Sequence, residues 1–531
     1  MSEPAELLIV PPLTDFTTSV VAPQGAELLD LGAHFVQRIA EPARLEETAA
    51  RLDTREADRP QALHALFAAA AAAVLRRQGP GTHDRARLRA TGMALRLVGD
   101  TDPALALSLD DLELRDGTTE SGAAVTTAIA HTKLFTPETE LARQCAGERR
   151  AVRIVVDGDQ QLLAVVGLVQ ALGVHRTTLC GRFAAQHEQA LCALEATRDV
   201  RIADWRPDRI VRPEWAGSAS PGGAGRPGHA VSPEGAARPG RPVRWATEPQ
   251  EATPDGPWIG WLDAADTAAV PAAAWRTCEG LTLTVARLDS WEAATGMYGT
   301  RADLSAVLDR LREEVPVAFE LLVGAPGVDT TTLYGAMHRI AGNAAGSRAT
   351  GPRPVLAGLR PFRLPRDAGP TWDGVPVRAT VRPDYDLARW AEFTAPGTHT
   401  PQQRLDTIHA LLADLARNTD FFPGRLAGAV TTARQGARAE APVGLSGGYP
   451  LWDSSAQVVR AAEADVDGHG PGTFVAHLRT GAAFRLHPRL ARVVSALADG
   501  RDEQLARLPE ATRTKLLDQL ARAGALRRYD T

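Results

Sequence analysis

Cysteine is scarce in this chain of 531 residues, and its four copies are scattered. They stand at Cys145, Cys180, Cys192 and Cys278, so no two lie within three residues of each other. Iron–sulfur clusters are held by cysteine thiolates, several of which usually stand within a few residues of each other, and this chain lacks such a spacing. Scattered cysteines in a long chain are also typical of reduced thiols in a cytoplasm. We therefore expect a cytoplasmic protein that holds no iron–sulfur cluster.

Long apolar runs and an excess of basic residues are absent as well. The longest apolar run covers residues 65–75, whereas a membrane-spanning helix needs about 20 apolar residues. The first residues show no basic start followed by an apolar stretch, so we expect no secretion signal. The net charge is −5, which argues against a general binder of nucleic acids or anionic membranes. We therefore expect that neither is a partner.

Short apolar runs that alternate with helical patterns fill the first part of the chain. Because strands that alternate with helices are parallel and joined by crossovers, we expect an open α/β sheet. Strands are predicted at residues 7–10, 152–156, 175–179 and 200–202. Helices are predicted at residues 25–38, 42–52, 60–78, 86–97, 120–132, 161–172 and 188–197.

A segment rich in Gly, Pro, Ala, Ser and Arg follows, and its composition predicts a flexible linker. The last 60 or so residues predict a hairpin around Gly481 and two short helices, at residues 488–498 and 509–523. Strands followed by two short helices suggest a small winged-helix-like module. Between linker and module, strands are predicted at residues 281–285, 317–323 and 355–359, and helices at 302–313 and 401–416.

In this order, the segments resemble the cobalamin-binding radical S-adenosylmethionine (radical SAM) proteins of bacterial peptide and natural-product tailoring pathways. The start, LLIVPP, resembles that family's first strand and turn, and TTLCGRF stands where the family has a Gly-Gly pair. The stretch ALRLVGDTDPALALSLDDLELRDG is similar to the family's helical insert, and FELLVGAPGVDTTTLYGAM to a late barrel strand with its G-x-P-G turn. The resemblance implies a Rossmann-like cobalamin domain followed by a partial (β/α) barrel.

The chain also departs from that family. The family's cluster-binding cysteine loop, C-x3-C-x2-C, would belong within about residues 240–280, where Cys278 stands alone. Residues 258–323 are too few for the four or so βα units expected there, at about 30 residues each, so the barrel looks shortened. The lower-axial cobalamin motif, D-x-H-x-x-G, is absent from the first 215 residues, where the cobalamin domain is expected. The expected organisation is a cobalamin-binding-like α/β domain with a helical insert (1–215), a flexible linker (216–257), a degenerate radical-SAM-like barrel (258–440) and a C-terminal winged-helix-like module (441–531).

The turns after the first strands carry candidate ligand-binding residues. Pro12 and Thr14 follow the first predicted strand. Asp157 and Gln161 follow the second, and Gly181 follows the third. The first two of these turns should lie together at the carboxyl ends of adjacent parallel strands, where open α/β sheets bind their ligands, and the resemblance implies cobalamin there. The alternative is that these residues only end strands and cap helices.

Gly324 and Gly327 are the candidates in the second half of the chain. They bound the Gly-Ala-Pro-Gly turn after a predicted strand, and the resemblance implies S-adenosylmethionine near them, since glycine allows close backbone approach. The alternative is that Pro-Gly simply makes the turn from strand to helix. Of the two cofactors, the sequence favours cobalamin over S-adenosylmethionine.

Soft-metal ligand types occur close together at His175, Cys180, His187 and Cys192. Zinc sites usually pair their ligands as C-x2–4-C or H-x3–5-H, whereas the spacing here, C-x6-H-x4-C, is irregular. We therefore expect buried thiols and surface histidines rather than a metal site.

Without a cluster, the chain has no electron source for radical chemistry, and the sequence names no catalytic side chain. We therefore expect a non-radical partner or substrate-presenting subunit in bacterial peptide (RiPP) or natural-product biosynthesis. Its partner would be a radical SAM enzyme or a precursor peptide, the latter bound by the C-terminal module at a sheet edge or groove. The alternative is an enzyme that keeps cobalamin or S-adenosylmethionine and performs polar methyl transfer or another non-radical step.

Overall fold

The chain divides into two compact units, which interleave along the sequence. Unit 1 consists of residues 1–14, 28–203 and 439–531, and unit 2 of residues 15–27 and 204–438. The structure is a computed structural model, and it describes residues 6–77, 84–109, 111–147, 150–216, 242–290, 293–304, 317–336, 355–415, 425–431 and 451–527.

The strands are short in both units. In chain order they are β1 (Leu7–Val10), β2 (Thr18–Val20), β3 (Glu27–Asp30), β4 (Leu105–Leu107), β5 (Leu112–Leu114), β6 (Val152–Val155), β7 (Thr177–Cys180), β8 (Arg201–Ile202) and β9 (Arg209–Val211). Then come β10 (Arg244–Ala246), β11 (Trp258–Asp263), β12 (Cys278–Val285), β13 (Arg287–Leu288), β14 (Ala293–Thr295), β15 (Arg301–Asp303), β16 (Val317–Val323), β17 (Val355–Pro361) and β18 (Leu364–Pro365). The last are β19 (Thr371–Trp372), β20 (Val375–Pro376), β21 (Arg378–Thr380), β22 (Trp390–Thr394), β23 (Leu451–Trp452), β24 (Ala456–Ala461), β25 (Gly472–His477), β26 (Ala482–Leu486) and β27 (Leu526–Arg527).

The helices lie mainly in unit 1. They are α1 (Leu31–Ile39), α2 (Pro42–Leu52), α3 (Arg59–Arg76), α4 (Asp84–Thr101), α5 (Gly122–His131), α6 (Thr136–Ala146), α7 (Leu162–Leu172), α8 (Arg182–Gln186), α9 (Glu188–Ala193), α10 (Pro213–Ala216), α11 (Pro401–Leu415), α12 (Pro488–Ala498), α13 (Glu503–Ala506) and α14 (Glu510–Arg522). Residues 330–336 and 427–431 are also helical. Within the described ranges, none of the helices combines the length and apolar character that crossing a bilayer requires.

Unit 1 is built on an open sheet with the strand order β3-β1-β6-β7-β8. The last four of these strands run parallel to one another. Every residue of β1 is buried, as its continuous apolar run predicts for a strand that is covered on both faces. The expected α/β architecture with an open parallel sheet is therefore confirmed.

One predicted helix of unit 1 is wrong in its first part. Residues 25–38 read as a helix from the sequence, but Glu27–Asp30 is the edge strand β3 and α1 begins at Leu31. The reason is local, because the Asp30 carboxylate accepts a hydrogen bond from the backbone N of Ala33 at 2.8 Å and so caps the helix at that point. The small hairpin β4–β5, after α4, was not foreseen either.

The alanine-rich helix α3 connects the helical insert to the C-terminal residues within unit 1. Strands β24, β25 and β26 form an antiparallel sheet, which confirms the hairpin at Gly481 and adds one strand. Val459 and Phe474 on one face of this sheet pack in the same core as α3. Val475, on the other face, packs with α12 and α14. The small alanine side chains allow α3 to approach the sheet closely. With α3 on one face and α12 and α14 on the other, both faces of the sheet are covered.

Unit 2 is built on a seven-stranded sheet with the order β17-β16-β12-β11-β10-β9-β2. The five strands from β10 to β17 in this sheet are parallel and follow one another in chain order. Strands β9 and β2 are antiparallel additions at one side. Chain-order neighbours imply that each crossover moves one strand further in the same direction.

The start of this sheet corrects the sequence analysis. Arg244–Ala246, which lies inside the expected linker, is the parallel strand β10. Residues 217–241 of that linker lie outside the described residues. The helix expected at residues 302–313 begins within strand β15, and residues 305–313 of it lie outside the described residues.

Candidate functional site

The first group of candidates meets at the carboxyl edge of the unit 1 sheet. Strands β1 and β6 are parallel neighbours, so the turns after them lie side by side. The Gln161 side chain joins these turns, because its Nε2 donates to Thr14 Oγ1 at 2.5 Å. Its Oε1 accepts from the backbone N of Asp157 at 2.6 Å and of Gly158 at 3.2 Å. The prediction that these turns lie together is thus confirmed, while their binding of a ligand stays a prediction.

Most polar atoms at this edge bond within the protein. Thr14 Oγ1 donates to the carbonyl of Pro11 at 2.8 Å, and Asp157 Oδ1 accepts from the backbone N of Arg182 at 3.0 Å. Gly181 has φ +98°, and a Cβ there would lie 2.6 Å from the carbonyl oxygen of Val156.

Pro12 is buried in the turn after β1. Both acceptor positions of the Gln161 carboxamide oxygen are already taken. The fit to cobalamin is therefore poor, since these residues hold two turns together and offer a corrinoid few unused polar atoms.

A second group, which the sequence analysis missed, lies on one face of the unit 2 sheet. Because paired residues of parallel strands point to the same side, the strand registers place six residues on a single face. We call this the polar face after its residues Trp261, Asp263, Thr282, Thr284, Glu320 and Arg360, which share it with Ala318, Leu322 and Gly358. The opposite face carries Leu281, Leu283 and Phe319, which belong to the core of the unit.

Glu320 is the centre of the polar face and is fully buried. Its Oε2 accepts from Thr284 Oγ1 at 2.7 Å and pairs with Arg425 Nη2 at 2.8 Å. Its Oε1 pairs with Arg360 Nε at 2.6 Å. Gly358 lies beside it on β17, where a Cβ would come within 3.3 Å of Glu320 Cγ, so glycine leaves room for the carboxylate.

Electrostatics keep Glu320 ionised. Burial by itself would raise the pKa of this carboxyl, but the guanidinium groups of Arg425 and Arg360 outweigh burial and lower the pKa to about 2. The two arginine side chains are 39% and 38% exposed, so part of each side chain reaches solvent while the carboxylate between them does not. The network therefore carries one positive charge in excess.

Arg425 is held in place from its carboxyl side. Residues 427–431 are helical, and Asp15 accepts a hydrogen bond from the backbone N of Ala427 at 2.9 Å. Thr17 Oγ1 accepts one from the backbone N of Gly428 at 2.8 Å and donates one to Asp15 at 2.5 Å. Burial raises the pKa of Asp15, although these hydrogen bonds oppose the shift. The contacts fix the segment from which Arg425 reaches Glu320.

Asp263 supplies a second carboxyl at the end of β11 on the polar face. It accepts from the backbone N of Met297 at 2.7 Å and of Ala265 at 2.9 Å. Burial raises the pKa of this carboxyl to about 6, and the nearby Arg425 opposes the shift. A carboxyl that titrates near neutral pH at the edge of a parallel sheet has the property that general acid–base chemistry needs.

Gly324 and Gly327 lie where the sequence places them, in the turn after β16. Their φ values are +86° and +71°, a region in which side chains are strained. The stem of Arg404, from α11, lies directly over Gly324, so a Cβ there would collide with it. These observations support the turn interpretation, and the binding of S-adenosylmethionine there stays a prediction.

The cysteines and histidines occupy separate environments. Burial raises the pKa of Cys180 and of Cys278 to about 12, so both are protonated thiols. Their Sγ atoms donate to carbonyls, that of Ile154 for Cys180. His187 stacks on the ring of Phe183, with ring centroids 4.1 Å apart. In the part of the chain that the structure describes, no three His, Cys, Asp or Glu side chains are grouped in a way that could hold a metal ion.

One residue of the polar face could have been recognised from the sequence. Glu320 is a carboxylate in the middle of the apolar run VAFELLV, and a charge inside a buried strand indicates a paired or functional group. The arginines that pair with it lie 40 and 105 residues further along the chain, so their partnership could not be inferred from spacing.

The chain was compared with models of known protein families, with curated proteins and with solved structures, and none of the three comparisons found a match. The assignment of function therefore rests on the geometry of these residues.

Proposed function

We propose that this chain is a non-radical relative of the cobalamin-binding radical SAM proteins. It would serve as a partner or substrate-presenting subunit in bacterial peptide or natural-product biosynthesis. The observation that carries the proposal is the unit 2 sheet, in which five parallel strands follow in chain order and one face is polar and charged. That strand order is the order of a (β/α) barrel, and barrels bind their ligands at the carboxyl ends of the strands.

The state of the thiols supports a non-radical role. An iron–sulfur cluster is held by thiolates, whereas Cys180 and Cys278 are buried, hydrogen-bonded to carbonyls and protonated at neutral pH. Of the four cysteines, Cys278 is the one that stands where the family carries its cluster loop. Its side chain packs in the core of unit 2. Turning it into an iron ligand would require that core to open.

The charges of the polar face support the binding of a substrate rather than chemistry on it. Arg360 and Arg425 have partly exposed side chains, and the buried carboxylate of Glu320 holds their guanidinium groups in position. Such fixed guanidinium groups recognise carboxylates and other planar oxyanions through paired hydrogen bonds. A peptide or natural product with an acidic group is therefore the substrate class that we propose for presentation.

The first experiment is reconstitution of the full chain with iron and sulfide under anaerobic conditions. We expect no stable cluster absorbance, and a stoichiometric four-iron cluster would refute the non-radical role. The partner role is tested by co-purification with a radical SAM enzyme or precursor peptide encoded beside this gene. The absence of any such neighbour, or of a complex with it on gel filtration, would count against that role.

A specific observation favours the enzyme alternative as a second candidate. Asp263 has its pKa raised by burial to about 6 and lies on the face that carries Glu320 and Arg360. It could therefore exchange a proton with a bound substrate in a polar, non-radical step. Mixing the chain with hydroxocobalamin and then desalting separates the two candidates, because retained corrinoid favours the enzyme.

A further inference from the structure

Arg404 is a buried arginine in the first turn of α11. Only 6% of it is exposed. Its aliphatic stem lies over Gly324, and its guanidinium carbon stands 4.9 Å from the centroid of the Phe393 ring. Unit 2 therefore places this cation at the turn after β16, which is the carboxyl edge of the parallel sheet.

The guanidinium of Arg404 has no acceptor among the residues that the structure describes. Its Nη1 is buried and makes no hydrogen bond. Burial lowers the pKa of Arg404, Glu392 opposes this shift, and Arg363 adds to it. An arginine does not lose its proton in a protein, so the charge persists in its buried position. A charge left in this state is strongly destabilising unless something compensates it.

Two neighbours make the position less favourable still. The amino end of a helix carries a partial positive charge, so a cation in the first turn of α11 is repelled by it. Arg363 adds a second positive charge. The Phe393 ring attracts the guanidinium, but a cation–π contact compensates less than an ion pair does. Gly324, Ala325 and Pro326 are buried, and the turn reaches solvent at Gly327, which is exposed.

We propose that Arg404 and the turn from Gly324 to Gly327 form a binding site for an oxyanion, the carboxylate or phosphate group of a small ligand. A guanidinium presents a planar fork of N–H groups that matches two oxygens of such a group. The anion would neutralise the buried cation and interact favourably with the amino end of α11. This site is independent of the role as a partner subunit and of the Glu320 network.

The test measures thermal unfolding of the full chain while sodium phosphate or sodium acetate replaces sodium chloride at constant ionic strength. We expect a saturable rise in Tm of roughly 2 °C at an anion concentration tenfold above Kd. The anion that gives the lower Kd identifies the preferred group. Arg404→Met keeps the stem over Gly324 and removes the charge, so we expect it to abolish the rise. Without anion, its Tm should equal or exceed that of the wild type.

Arg276→Gln is the matched control, since Arg276 is an exposed arginine of the same unit and the variant should respond like the wild type. Arg404→Lys keeps a charge without the planar fork and should weaken binding about tenfold or more. This second variant preserves the test if Arg404→Met does not fold. A wild type whose Tm responds equally to chloride, phosphate and acetate would overturn the proposal. An undiminished response in both Arg404 variants would also overturn it.

Discussion

Both units carry a network of polar residues on a parallel sheet, but they use it differently. At the edge of the unit 1 sheet, the neutral side chains of Thr14 and Gln161 bond to each other and to backbone groups. On the polar face of unit 2, the charged Glu320 is buried, and its two arginine partners reach solvent. A neutral network of this kind holds turns together, whereas a charged one also presents groups to a ligand. The comparison therefore locates the more promising site in unit 2.

The largest effect is expected from Glu320→Ala. Removing the carboxylate leaves Arg360 and Arg425 without their shared counter-charge and Thr284 without its acceptor. Breaking a buried pair in this way costs about 4 kcal/mol, measured as the free energy of unfolding in urea. The control Glu214→Ala, at an exposed carboxylate of unit 2, should change it by less than about 0.5 kcal/mol. Equal losses in the two variants would show that the charged network does not contribute to the stability of the fold.

Acidification should lower the free energy of unfolding of the wild type through the same carboxylate. The pKa of Glu320 is lowered from 4.5 to about 2 in the folded protein. Its contribution to the free energy of unfolding is therefore complete above pH 4.5. It is lost as the pH falls from 4.5 towards 2, because the unfolded chain then binds a proton that the folded chain refuses. Glu320→Ala should lack this part of the acid dependence.

Asp263 should change the free energy of unfolding with pH in the opposite direction, and over a higher pH range. Its pKa rises from 3.8 to about 6 on folding, so the folded protein binds the proton more tightly. Stability is then greatest below pH 3.8 and falls as the pH rises to 6, by about 3 kcal/mol for the shift of roughly two units. In Asp263→Asn this fall should disappear from the unfolding free energy measured between pH 4 and 7. The exposed Asp255→Asn is the control and should keep it.

The sequence predicted the apolar part of this fold well. Predominantly apolar segments located β1, β6 and β16, because buried strands need them. Prolines marked the starts of α2 and α12, because a proline in the first turn of a helix has no N–H to lose. These signals are local, so one sequence is enough to read them.

The sequence could not predict features that depend on distant partners. Strand β10 lies between segments whose composition suggests a linker, and its pairing with β11 makes it a strand. Glu320 is stabilised by Arg425, 105 residues away, and Arg404 lies over Gly324 across 80 residues. Only the turn residues Thr14, Asp157 and Gln161 were brought together correctly, because the rule for parallel strands fixes which of their ends coincide.

The smallest effect is expected in unit 1, from Gln161→Ala. The change removes the acceptor of two backbone N–H groups and the donor to Thr14, leaving partly buried groups without partners. We expect a loss of about 2 kcal/mol in the free energy of unfolding. Gln160→Ala, at the neighbouring half-buried glutamine, should cost much less. Hydroxocobalamin retention should be absent in both variants and in the wild type if these residues only hold the turns. Retention by the wild type that is lost only in Gln161→Ala would reverse the comparison and make unit 1 a ligand site.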